Sequence, residues 1–127
     1  MKLLLSIKPC FAEKIFCGEK TFEYRRRIHR MIEVKTVLVY VTLPVGQVVG
    51  EFDIEAIHCL APERLWSKTR KRSGITKEFY DSYFSGCEVA YALEIGRARL
   101  FPKPFPINAY LPSGVPPQSY AYVQRAA

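Results

Sequence analysis

The sequence has no paired cysteines, which removes several classes of protein at once. Its four cysteines, Cys10, Cys17, Cys59 and Cys87, form no Cys-x-x-Cys. The two histidines, His29 and His58, are not spaced with them as a zinc site requires. The cysteines are therefore expected to be buried small hydrophobic residues in a reducing compartment. There is no Gly-x-Ser-x-Gly, and neither histidine has an evident partner, so a serine-type triad is not indicated. Phosphate loops and dinucleotide fingerprints are missing as well. Long hydrophobic runs are also lacking. The opening apolar run is cut by Lys8 and Pro9, so it reads as a buried first strand and not as a leader, and no stretch reaches transmembrane length. These absences predict a cytoplasmic protein with no metal, no cofactor and no membrane partner.

Acidic residues are scarce too. Twelve Asp and Glu stand against 19 Lys and Arg, a formal net charge of +7. A surface of that sign attracts polyanions, of which nucleic acid is the commonest in a cell. A chain of 127 residues with 49% hydrophobic and 13% aromatic content matches one folded domain, residues 1–127, that builds a core without metal or disulfide.

Leu3 to Lys8 reads as a strand, and Pro9 opens a short helix that Gly18 ends. Val34 to Thr42 is rich in β-branched residues, and Gln47 to Ile57 alternates apolar and polar positions. Gly50 lies inside the second of these strands, where a bulge or a close backbone approach is expected. Residues 58–87 are expected to form a helical insertion between strands, opened by Pro62, with a second helix from Lys77 to Phe84 capped by Thr76. Glu88 to Phe101 returns to strand character. The tail holds Pro102, Pro104, Pro106, Pro112, Pro116 and Pro117, which disfavours regular elements, while Tyr110, Tyr120 and Tyr122 tie it to the body. The class predicted is α+β, a small mixed β-barrel flanked by short helices.

The segment Gly18-Glu19-Lys20-Thr21-Phe22-Glu23-Tyr24-Arg25-Arg26-Arg27 concentrates the functional signal. Strand alternation puts Phe22, Tyr24 and Arg26 on one face, and Thr21, Glu23, Arg25 and Arg27 on the other. One carboxylate among cations beside a tight turn suits an anionic or nucleotide-like ligand. Candidate ligand-binding residues are Ser6, Lys8, Lys20, Glu23, Tyr24, Arg25 and Arg27, with Gln118, Ser119 and Tyr120 of the tail able to meet a base edge. Arg26, Arg30 and the basic run Lys68, Arg70, Lys71 and Arg72 are candidate phosphate contacts, which set affinity and salt dependence and not sequence choice. If the protein is an enzyme, Lys20 is the base, its pKa lowered by burial or by a neighbouring cation such as Arg25 or Arg26, and Glu23 or Glu51 is the carboxylate that moves protons.

The order of these motifs resembles the ASCH domain family. Its Gly-x-Lys-x-x-Glu-x-Arg pattern is met by Gly18, Lys20, Glu23 and Arg25, after a Leu-Ser-Ile-Lys-Pro start at 5 to 9. The stretch Val-Val-Gly-Glu-Phe-Asp-Ile at 48 to 54 and the tail Pro-Pro-Gln-Ser-Tyr-Ala-Tyr at 116 to 122 resemble a prokaryotic and phage branch, some members of which are regarded as transcriptional regulators. ASCH domains are similar to the PUA superfamily, so the resemblance implies a PUA-like barrel with a cleft lined by Lys20, Glu23 and Arg25. It implies binding of RNA, of other nucleic acid or of a modified nucleoside. One lineage hydrolyses the acetyl amide of acetylated cytidine, and Glu23 stands here where that lineage carries a threonine. A ribonuclease of the same fold is the other enzymatic expectation.

Overall fold

Hydrophobic runs and their punctuation lay out the sheet in a computed structural model that describes residues 1–124. Strand β1 (Lys2–Ile7) buries side chains on both faces, as a central strand must. Leu3, Leu5 and Ile7 enter the main core, and Leu4 joins Leu38, Tyr40, Val48 and Val123 in a second one. Helix α1 (Pro9–Cys17) starts on a proline and stops at Gly18, whose φ of 90° fits the left-handed cap that glycine adopts without strain. Strand β2 (Phe22–Arg25) follows, and then β3 (Thr36–Val41) lies parallel to β1.

Strand β4 (Gln47–Leu60) pairs antiparallel with β3, and Val49 bulges out of that pairing beside Gly50. A β-carbon on Gly50 would press on the Arg99 carbonyl and come within 2.9 Å of the Phe16 ring, so the close approach expected there is real. The insertion is shorter than 58–87. Strand β4 persists to Leu60, and the helical part comprises α2 (Pro62–Thr69), a 3-10 turn (Arg70–Arg72) and α3 (Lys77–Tyr83). Tyr80 anchors it, fully buried against Tyr24, Trp66 and Phe84, with its hydroxyl donating to the Pro62 carbonyl at 2.7 Å.

Strand β5 (Ala90–Phe105) continues through Pro102 and Pro104, against expectation. Its pairing with β4 passes from Gly50↔Leu100 to Val48↔Phe105, so the prolines sit in an excursion where no ladder donor is needed. The tail supplies β6 (Ala121–Val123) antiparallel to β1, and Tyr110, Tyr120 and Tyr122 pack on the cores as expected.

The result is a six-stranded mixed sheet, order β2-β5-β4-β3-β1-β6, with three α-helices among the described residues. It is not a closed barrel. Strand β2 stops after four residues and β6 has three, preceded by Pro116 and Pro117, so no main-chain ladder joins the two edges. Side chains reach across instead. Arg25 of β2 donates to the Ser119 carbonyl beside β6, and the Met31 amide donates to the Tyr122 hydroxyl at 2.9 Å. No helix among the described residues is long and apolar enough to cross a membrane.

Candidate functional site around Lys20

The turn after α1 is fastened from both sides. The Lys20 amide donates to the Lys14 carbonyl at 3.0 Å, and the Thr21 amide donates to the Arg72 carbonyl at 3.0 Å. Arg72 donates back to the Gly18 carbonyl at 3.2 Å, and Lys14 Nζ reaches the Gly74 carbonyl at 3.2 Å. Gly74, at φ 70°, packs directly on the Lys20 stem, where a β-carbon would fall 2.5 Å from Lys20 Cβ. The insertion therefore serves as the clamp on the lysine turn.

This clamp buries Lys20 to 2% exposure. Its Nζ donates to the Ser73 carbonyl at 2.7 Å and stands 4.9 Å and 5.4 Å from the Tyr24 and Phe11 ring centres. Among the described residues no carboxylate lies within ion-pairing distance of it. Burial lowers its pKa to about 8, with Glu23 opposing the shift and Lys14 reinforcing it. Burial, one of the two causes expected from the sequence, is the main one, and the neighbouring cation that adds to it is Lys14 and not Arg25 or Arg26. Tyr24, only 5% exposed, is a wall and not a free ligand contact. Its hydroxyl meets Thr69 Oγ1 at 2.6 Å, and Thr69 donates onward to the Leu65 carbonyl, so Tyr24 is the donor of that pair. Burial pushes its phenol up to about 12.

Lys20 lines a cavity of about 290 Å³ together with Ser6, Lys8, Glu23, Tyr24, Arg25 and Arg26. Thus the structure unites most of the expected ligand-binding residues. Glu23 pairs with Arg25 at 3.4 Å, and Ser6 Oγ donates to the Pro117 carbonyl at 2.9 Å, seating the tail on the rim. Arg25, Arg26 and Arg27 line one neighbouring cavity, which corrects the expectation that they split between two faces. Strand β2 ends at Arg25 and the chain then bends, and alternation holds only while the backbone stays extended.

Other candidates lie elsewhere. Glu51 does not face the cleft. It is held by Lys2 at 2.7 Å and by Arg99 at 2.7 Å, with Asp53 on the same guanidinium at 3.1 Å. Arg30, Lys68, Arg70 and Lys71 are exposed and line neither cavity, while Arg72 is a fastening of the turn. Cys10, Cys17 and Cys59 are exposed and Cys87 half-buried, contrary to expectation. Cys10 and Cys17 share the outer side of α1, whose inner side is taken by Ala12 and Ile15. The sequence reading missed Lys14, Ser73, Gly74, Phe79 and Tyr83. Only Ser73-Gly74 carried a signal, as a break between helices.

Fold and site together define an α+β domain whose single curled sheet carries a basic cleft floored by a buried lysine. The model of the ASCH domain family matches residues 5–98, and the chain belongs to that family. It is 41% identical over 108 residues to the large ribosomal subunit protein uL22 of Ureaplasma parvum, covering 85% of this chain and 35% of that one. It is 36% identical over 89 residues to an ASCH domain-containing ribonuclease of Zymomonas mobilis, covering 70% of this chain and 60% of that one. The chain thus spans about a third of the first relative and under two thirds of the second. The crystal structure of ASCH from Zymomonas mobilis superposes with a TM-score of 0.88 at 28% identity, over 98% of this chain and 88% of that one. A tyrosine-to-phenylalanine variant of it gives 0.89 over 98% and 91%.

Proposed function

We propose that this domain binds single-stranded RNA in the Lys20 cleft and cleaves it. The observation that carries the reading is the Lys20 amine, 2% exposed yet lining a cavity, with its pKa lowered to about 8. At neutral pH such an amine is neutral in roughly one molecule in ten, which suits a general base. The relative whose name is ribonuclease supports RNA as the ligand.

In the proposed reaction the neutral Lys20 amine takes the proton of a ribose 2′-hydroxyl. The 2′-oxygen then bonds to the adjacent phosphorus, and the bond from phosphorus to the 5′-oxygen breaks. The departing oxygen takes a proton from solvent. The products are a 2′,3′-cyclic phosphate and a 5′-hydroxyl end. Lys8, whose ammonium lies 5.1 Å from the Phe79 ring centre, offers the phosphate a cation, and Glu23 accepts from a base edge or ribose hydroxyl.

The test is end-labelled single-stranded RNA, and DNA of the same sequence, incubated with the intact chain and with Lys20→Met between pH 6 and 9.5. Cleavage of RNA alone, rising through about pH 8 and lost in the variant, is expected. RNA that is bound but left intact by the native chain reduces the reading to binding; RNA neither bound nor cut ends it.

The cavity of about 290 Å³ also fits a single nucleoside, with Glu23 and Lys20 both on its wall. That favours, as a second reading, hydrolysis of the acyl amide of a modified cytidine. Release of free cytidine from acylated cytidine, followed by chromatography, separates it from the first.

A further inference from the structure

The groove does not end at the Lys20 compartment. A second cavity of about 380 Å³ is lined by Arg25, Arg26, Arg27, Tyr83, Gln118 and Ser119. Arg25, Arg26, Tyr83 and Gln118 line both cavities, so the two are compartments of one groove with these four residues at the seam.

Its three arginines are not equivalent. The Arg25 guanidinium is committed to Glu23 and to the Ser119 carbonyl. Arg26 lies 4.5 Å over the Tyr83 ring centre, and among the described residues neither it nor Arg27 has a hydrogen-bond acceptor. Both are exposed, and no acidic side chain among the described residues lines this compartment. Two guanidinium groups with all their donors available form a site for a phosphate, which arginine grips bidentately. The Tyr83 ring is stacked at 12° on Phe79, which lines the first compartment, so one aromatic wall runs along the groove. Bases stack on such walls whatever their identity.

Resting on the RNA reading above, we propose that the groove holds two consecutive nucleotides of one strand. The nucleotide whose 2′-hydroxyl meets Lys20 occupies the first compartment, and its neighbour's phosphate is gripped by Arg26 and Arg27 in the second. Paired bases enter neither compartment, so duplex RNA is excluded.

The test measures equilibrium binding of 2′-fluoro uridine 3′-monophosphate, of the di- and trinucleotides that each end in a 3′-phosphate, and of a single strand of about twenty nucleotides. Affinity rises about tenfold from one nucleotide to two, the size of one charge-assisted contact, and little from two to three. The same step steepens the logarithmic salt dependence by about 0.7. In Arg27→Ala, an exposed position whose loss leaves the core intact, this gain disappears while mononucleotide affinity stays within about twofold. Equal affinity for one and two nucleotides overturns the two-compartment proposal, as does an Arg27→Ala variant that weakens both alike. If the long strand still binds in a Lys20-dependent way in either case, the RNA reading survives alone. If no RNA binds at any length, both fail.

Discussion

The two ends of strand β1 carry opposite solutions to the same electrostatic problem. At its start, Lys2 and Arg99 enclose Glu51, and Asp53 completes the set, so two cations face two carboxylates at 2.7 to 3.1 Å. Beyond its far end, Lys20 is more deeply buried than any of them but meets only a carbonyl and two aromatic faces. Matched charges contribute stability; an unmatched buried cation lowers it and leaves a group with an altered proton affinity. The carboxylate that the sequence offered as a second acid-base group belongs to the stabilising end. The lysine belongs to the end where a buried cation stands without a carboxylate partner among the described residues.

Removing the unmatched charge breaks this contrast most directly. Lys20→Met is expected to abolish cleavage, by at least about a hundredfold, while making the fold more stable at pH 7. The folded-state pKa of about 8 lies below the unfolded value of 10.5, so below pH 8 the protonated lysine carries its full desolvation cost. Native stability therefore rises with pH between about 8 and 10.5, because the unfolded chain holds the extra proton there. The shift corresponds to roughly 3 kcal/mol, from which the orphaned Ser73 carbonyl takes back about 1. Urea unfolding of both proteins at pH 7 and pH 10 should show the variant's advantage shrinking at the higher pH.

Gly74→Ala attacks the clamp and not the charge. Its β-carbon would meet the Lys20 stem at a φ of 70°, so a loss of about 2 kcal/mol and displacement of the amine are expected. Cleavage then falls more than the unfolded fraction explains, which parallel denaturation and activity assays resolve. At the other end of β1, Glu51→Gln should cost about 1–2 kcal/mol at pH 7 and leave the rate constant unchanged. Burial raises the Glu51 carboxyl, but hydrogen bonds from Lys2 and Arg99 outweigh it and hold the pKa below its ordinary value of 4.5. The native protein thus loses this contribution as pH falls from 4.5 through the lower folded value, and the variant's acid unfolding should show a shallower dependence there. The smallest effect belongs to Tyr24→Phe. It removes the hydrogen bond to Thr69 but keeps the ring beside Lys20, costing about 1 kcal/mol by thermal unfolding.

Much of this architecture was legible where information is local. Pro9 and Gly18 bracket α1, Thr76 caps α3 through the Phe79 amide, and Gly50 marks the close approach beside the bulge. The gathering of basic and acidic groups around the lysine turn was legible from its residue types, and most of them do line one cavity. What stayed hidden depends on partners far along the chain. Lys20 is buried by Ser73 and Gly74, more than 50 positions away, and nothing near Lys20 announces them. Closure of the barrel was misjudged because it depends on whether two edge strands are long enough to meet. The arginines were misassigned because alternation was extended past the residue at which β2 ends.

The tail's place on the rim has a consequence for the growing chain. Pro117 and Ser119 supply carbonyls to Ser6 and Arg25, and Gln118 lines the groove, so one wall comes from nearly the last stretch described. A nascent chain that has emerged through β5 already holds Lys20, its clamp and five of the six strands. Synthesis from the N-terminus therefore delivers five strands and the lysine clamp before the stretch that completes the groove wall.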